Sequence, residues 1–222
     1  MTVLMTISNT SAVYRNLHSV HGNIRRFFLY RSTLSIMTLK SYSFLKDKEI
    51  VTSDAFIIGN VSDVNYSSET WDVHSLHVRG VKGLGDVLGA SAFRKLQFSL
   101  DIGTYDMNDV ILIPETRDQL QRALASDETD YEKIGSLIGK KVVSEELVPI
   151  GVIADVGIDT DSWKVNSFKV KIEKNVADAL DIKLGLLNKT ASGLLTNHIA
   201  SVTGTVNLAH KLEDLRGYFT LD

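Results

Sequence analysis

The chain has no cysteine among its 222 residues. That excludes a disulfide framework, a thiolate metal site and a cysteine nucleophile, and it suits a reducing, cytoplasmic setting. No apolar run is long enough for a signal peptide or a membrane-spanning helix, since the cluster Phe27, Phe28, Leu29 and Tyr30 stops too soon. Acidic residues are missing from the first 36 positions, which hold four arginines, Arg15, Arg25, Arg26 and Arg31. Downstream of them 20 basic residues face 27 acidic ones, so the body of the chain carries a net charge of −7. An acidic body argues against direct contact with nucleic acid.

Catalytic signatures are absent as well. There is no G-x-S-x-G nucleophile elbow and no Gly-Lys-Ser/Thr of a phosphate-binding loop, and no serine, histidine and acid assemble into a triad on spacing. The glycines at 80, 83, 85 and 89 miss the dinucleotide fingerprint, because Leu88 stands where the third glycine belongs. Residues 80–89 therefore read as an interstrand loop.

What the chain does contain is itself, twice. Residues 56–78 return at 148–170 with an ungapped offset of 92. Ile58 falls on Ile150, Gly59 on Gly151, Asp63 on Asp155, Val64 on Val156, Val73 on Val165, Ser75 on Ser167 and Val78 on Val170. Both tryptophans of the protein, Trp71 and Trp163, also coincide. Such a repeat means two copies of one structural unit.

Each copy opens with a short strand, 48–51 and 140–143. A hairpin follows, with strands 56–65 and 71–78 joined at 67–70, and in the second copy a turn at 159–162 and a strand at 164–172. Beyond the hairpins the copies diverge. The first continues with the glycine loop, a strand at 96–100 and another at 110–113; the second has a short helix at 175–180, a stretch at 185–188 and strands at 193–199 and 203–208. Residues 110–112 lie on 206–208 at an offset of 96, so about four residues are inserted. Helix-like sequence closes each copy, at 115–124 and 210–216. Many short strands in under 90 residues favour a small closed barrel, so the expected fold is all-β with short helices. The expected organisation is a disordered extension or translated leader at 1–36, barrels at 37–125 and 137–222, and a polar, acidic linker at 126–136.

Side chains that could carry chemistry are few. His74 and His77 lie three apart on a strand and should point to opposite faces, which prevents joint metal binding. His18 and His21 fall in the leader, and His198 and His210 read as isolated. Asp155, Asp159 and Asp161 invite a calcium reading, but the loop lacks the downstream Glu and central Gly, so turn chemistry is preferred. Asp63 and Asp155, shared by the copies, suggest a structural role at the strand end. Trp71 and Trp163 are expected to pack across their own hairpins or barrel rims, with partner anchoring as the alternative. No catalytic, cofactor or metal residue is expected, and the partner-binding residues are unassigned.

The hairpin pattern, K-x-V/I-V, a turn, I-G-x-V/I-x-D-V, a polar turn and V-x-S-h-x-V, resembles the PRC-barrel family. Residues 48–78 and 140–170 carry the likeness, and the weaker second halves extend it over nearly everything after Met37. The family includes the photosynthetic reaction-centre H subunit, a ribosome-maturation protein that binds a small-subunit protein, and many archaeal proteins, none of them an enzyme through this domain. Two such barrels in tandem look most like the archaeal proteins that associate with SepF, the membrane anchor of the FtsZ division ring. The resemblance implies a self-associating, homodimeric adaptor at the division site, without cofactor or direct nucleic-acid contact. The alternative is an adaptor in ribosome maturation or RNA processing. Function is then expected where the copies differ, above all at 80–89 against 175–180.

Overall fold

The computed structural model describes residues 39–88, 97–126, 131–183 and 190–221. The expectations for residues 1–36, the stretch 185–188, and the ends of the 80–89 loop and 96–100 strand fall outside them. In order, the first repeat contains β1 (Leu39–Ser41), α1 (Tyr42–Leu45), β2 (Glu49–Val51), β3 (Ile57–Tyr66), β4 (Val73–Gly80), α2 (Leu84–Val87), β5 (Gln97–Asp101), β6 (Asp106–Met107) and β7 (Ile111–Leu112). The second contains β8 (Glu132–Lys133), β9 (Lys141–Val143), β10 (Pro149–Asp159), β11 (Lys164–Ile172), α3 (Lys174–Ala179), β12 (Thr190–Leu195), β13 (Ile199–Val202), β14 (Val206–Leu208) and β15 (Thr220–Leu221).

These strands form two curled, barrel-like sheets, as the sequence leads one to expect. One runs β5-β4-β3-β2-β7-β6 and the other β13-β14-β9-β10-β11-β12-β15. In both, the hairpin lies centrally and the short first strand pairs in parallel with a late one, β2 with β7 and β9 with β14. Inward side chains are the aliphatic ones of the alternating pattern: Ile58, Val61, Val64 and Leu76 in the first sheet, Ile150, Ile153, Val156, Phe168 and Val170 in the second. Alternation is broken at matched bulges, between Val61 and Asp63 and between Ile153 and Asp155. Each bulge swings a repeated aspartate off the regular pleat. Gly59 and Gly151 are required at the strand starts, because a Cβ there would strike the backbone carbonyl of Arg79 or Lys171.

Several boundaries differ from expectation. The parallel pairs Ile50 with Ile111 and Val142 with Val206 put Ile111 on Val206, an offset of 95, one short of the expected 96. The inward pairs Ile111 and Ile113, Val206 and Leu208, enforce that register. The helix-like closing segments are helical as expected, of the 3-10 kind, at Arg117–Ala123 and Leu212–Leu215.

The expected linker is half structural. Residues 132–133 form β8, and Ile134–Ser136 a 3-10 turn with Ile134 fully buried. At the 92-residue offset these match β1 and α1, so the repeat begins at 39 and 131. Moreover β1 pairs with β10 of the second repeat, while β8 pairs with β3 of the first. Each repeat thus lends its first strand to the other, and residues 36–222 form one compact unit.

Candidate functional site

The two repeats meet through reciprocal backbone contacts at their hairpin corners. The β3–β4 and β10–β11 corners face each other. Val73 N–H donates to the Trp163 carbonyl and Val165 N–H to the Trp71 carbonyl, both at 2.8 Å. Between them Asp72 bridges Lys164, its own counterpart at the 92-residue offset, with 3.0 Å between Oδ1 and Nζ. The Asp72 carboxyl is held below its ordinary range by hydrogen bonds from the Thr70 hydroxyl first and Lys164 second. Both tryptophans adopt left-handed backbone, φ 64° for Trp71 and 50° for Trp163. A bulky residue holds that conformation only where surrounding contacts dictate it.

Those contacts cross the junction. Trp71 stacks on Tyr66 of its own repeat, 5.8 Å between centroids, and meets Phe168 of the other edge-on at 5.5 Å. Trp163 is 7% exposed; its indole N–H donates to the Gly103 carbonyl at 3.0 Å and its ring meets Tyr105 edge-on. Packing across its own hairpin, the expectation for each indole, holds in part for Trp71 through Tyr66, but both rings also reach the other repeat, Trp71 at Phe168 and Trp163 at Gly103 and Tyr105.

The repeated aspartates fasten the exchanged segments. Asp63 Oδ1 accepts from Gly135 N–H and Val64 N–H, both at 2.9 Å, and from the Tyr42 hydroxyl at 3.2 Å. Asp155 accepts from the Ser43 N–H at 3.1 Å, from the Ser43 hydroxyl and from Val156 N–H at 2.9 Å. Ser43 and Gly135 occupy the same repeat position. A Cβ on Gly135 would press on the Asp63 carboxylate and the Tyr42 hydroxyl, so there the tyrosine fills the space a serine fills in the other copy. Burial, then the Asp63 charge, pushes the Tyr42 hydroxyl well above its ordinary range.

Beside this junction lies a cleft of ≈ 600 Å³, lined by Lys40, Tyr105, Asp106, Asn108, Asp161 and Trp163 among others. Burial first, and the Glu115 carboxylate next, raise the Tyr105 hydroxyl. The cleft mixes one cation, two carboxylates and the edges of two aromatic rings, a lining suited to contact with a polar segment more than to chemistry on a small molecule.

Other candidate residues are placed as follows. Asp155, Asp159 and Asp161 do not converge: Asp155 holds Ser43, while Asp159 accepts from Asp161 N–H at 3.0 Å and from the Ser162 hydroxyl at 2.7 Å, closing its own turn. Burial notwithstanding, those turn bonds hold the Asp159 carboxyl low. His74 stacks on Tyr131 at 3.9 Å, whereas His77 is half-buried opposite Asp63 and Ser99, so the two part company as strand geometry requires. Burial, then Lys133, lowers the His77 pKa. His198 and His210, expected to be isolated, are not: Nδ1 of one lies 3.0 Å from Nε2 of the other, and Tyr218 stacks on His198 at 4.3 Å. The β13–β14 hairpin folds position 198 back beside 210, where Ala209 N–H reaches the His198 carbonyl. Burial and the neighbouring His210 lower the His198 pKa.

Among the described residues no group of three or more His, Asp or Glu converges as a metal site. Nor is any described helix long and apolar enough to cross a membrane. The segments expected to differ most are alike where described: α2 and α3 are both helical turns, and Leu84 and Val176, 92 apart, are each buried beneath them. Sequence reasoning missed the exchanged strands and the histidine pair; only the repeated aspartates hinted at the former. A scan of protein-family models finds no match to this chain, and a search of curated proteins finds none either.

Proposed function

We propose that this protein is a non-catalytic protein–protein adaptor of the PRC-barrel type, acting in archaeal cell division beside a SepF-like anchor. One observation carries the adaptor reading: the shared chemistry-bearing side chains are spent on joining the two repeats. Asp63 and Asp155 hold exchanged turns, and Trp71 and Trp163 fill the junction. Such a body is a joined platform whose outer faces are free to diverge. The division role rests on the hairpin resemblance. Self-association, which the resemblance also implies, would have to use surfaces outside the junction, because that interface is filled within one chain.

Affinity capture of the tagged full chain from its source cells, read by mass spectrometry, tests the proposal. Recovery of division proteins, with division defects on depletion, is the expected result. Capture of no protein partner would overturn the adaptor reading, and co-sedimentation with ribosomal subunits would move the assignment to ribosome maturation.

A further inference from the structure

We propose that the outward face of β2, β3 and β7 docks a partner-protein helix whose aliphatic stripe is flanked by basic side chains. This rests on the adaptor reading and names the surface that performs it. Val51 pairs with Ile57 on one side and with Leu112 on the other. Their neighbours Ile50, Ile58 and Ile111 are fully buried, so the row Ile57, Val51, Leu112 is the outward one; Ile57 is 42% and Leu112 41% exposed. Three adjacent strands at about 4.8 Å spacing make this row roughly 10 Å long. Two turns of α-helix rise about 10.8 Å, so aliphatic residues at i, i+3 or i+4, and i+7 match it when the helix crosses the strands.

The second repeat supplies the control. On the same backbone Val143 pairs with Pro149 and Asn207, and Asn207 stands where the first repeat has Leu112. The centre of the row stays aliphatic as Val143, but the fold does not need an aliphatic side chain at its β7 end, where Asn207 replaces Leu112, nor an isoleucine at its β3 end, where Pro149 replaces Ile57. Charge follows the same division. Glu49 precedes Val51 by two on β2 and so shares its outward side, and exposed Asp106 is registered against Leu112. The counterpart of Glu49 in the second repeat is Lys141. Of the cations near the first row, Lys48 lies over Phe44 and Arg117 over Phe56, each at 4.4 Å, and Arg79, registered against Asn60, is paired with Asp47 at 3.4 Å. An apolar row with acidic flanks favours a basic amphipathic segment and repels anionic lipid and nucleic-acid phosphate.

The test uses the full chain and two labelled helical peptides. One carries Leu at i, i+3, i+4 and i+7 among Lys; the other has Glu in place of Lys. Fluorescence anisotropy should show the Leu/Lys peptide binding the native chain at least tenfold more tightly than the Ile57→Ser/Leu112→Asn variant. The charge-reversal variant Glu49→Lys/Asp106→Lys should weaken it as much, and thermal melts should show both variants folded. The Leu/Glu peptide should not bind. Equal binding to either folded variant, or equal binding of the two peptides, would overturn the proposal. Repeating the affinity capture with the Ile57→Ser/Leu112→Asn chain separates the two ideas. Loss of the captured partners supports this surface, and the same partners captured by both chains overturn it while leaving the adaptor reading intact.

Discussion

Removing the Asp63 carboxylate should loosen the whole 36–222 unit, and by more than removing any surface aspartate. In Asp63→Ala, Gly135 N–H, Val64 N–H and the Tyr42 hydroxyl all lose one acceptor. A hydrogen bond to a charged acceptor contributes about 1.5–3 kcal/mol, and an unsatisfied buried donor costs a similar amount. Asp63 is half-buried, so water recovers part of this, and about 2 kcal/mol is the expected loss. Asp155→Ala should cost about 1.5 kcal/mol, because its Ser43 donors are exposed and rehydrate more completely. Asp159→Ala, which opens only a local turn, is the control and should cost about 0.5–1 kcal/mol. Asp63→Asn keeps an acceptor oxygen and should lose about half as much as Asp63→Ala.

The assay is urea unfolding followed by tryptophan emission and by far-UV circular dichroism. With an m-value of about 2 kcal/mol/M, Asp63→Ala should lower the urea midpoint by about 1 M. Both indoles lie in the junction, so the two signals should coincide if barrels and junction unfold together. A midpoint shift for Asp63→Ala no larger than that for Asp159→Ala would refute the reasoning, because the crossing hydrogen bonds would then contribute nothing beyond an ordinary turn.

Gly59→Ala and Gly151→Ala should each cost upward of about 2 kcal/mol, since the new Cβ meets backbone that cannot step aside, whereas Gly204→Ala, with open space around it, should be neutral or stabilising by about 0.5 kcal/mol; chemical denaturation of the three variants decides. Trp163→Phe leaves the Gly103 carbonyl without its donor and should cost about 1–2 kcal/mol on a thermal or urea scale. His198 and His77 both have folded pKa values below the unfolded one, so the unfolded state binds more protons at mildly acidic pH. Their contribution is intact above pH about 6.5 and is lost as pH falls through the folded values. His198→Gln should flatten the decline of the urea midpoint between pH 7.5 and 5.5, and an unchanged slope would count against the assignment.

The hairpins were legible because two independent signals agreed on them, a period-two apolar pattern and an ungapped internal repeat. The exchanged strands were illegible for the opposite reason. Leu39–Ser41 and Glu132–Lys133 are identical at no matched position, and their pairing is made by backbone groups that every residue carries. Asp63 and Asp155 could be seen to matter, but their partners lie 72 and 112 positions away and no local rule reaches so far. Helix α2 was hidden by Gly83 and Gly85, which lower helix propensity while Leu84 is drawn in by the core. The meeting of His198 and His210 depends on a hairpin whose register the sequence leaves open. The ungapped offset of 92 held through the hairpins and gives way beyond them to 95, one short of the expected 96, where only the inward side chains of β7 and β14 mark the true alignment.

Exchanged first strands also set a timetable for the nascent chain. When residues 39–126 leave the ribosome, the strand Leu39–Ser41 has no edge to join, because its partner Gly157–Asp159 has not been made. At about 5–20 residues per second, the stretch from 126 to 159 takes on the order of 2–7 s. During it the free edge of β3 near Asn65 and Tyr66 stands open to other chains, a hazard kept small by the brevity and polarity of the segments involved. Synthesis of the second repeat brings first β8 for the β3 edge and then β10 for β1, so the first half of this protein is completed by the second.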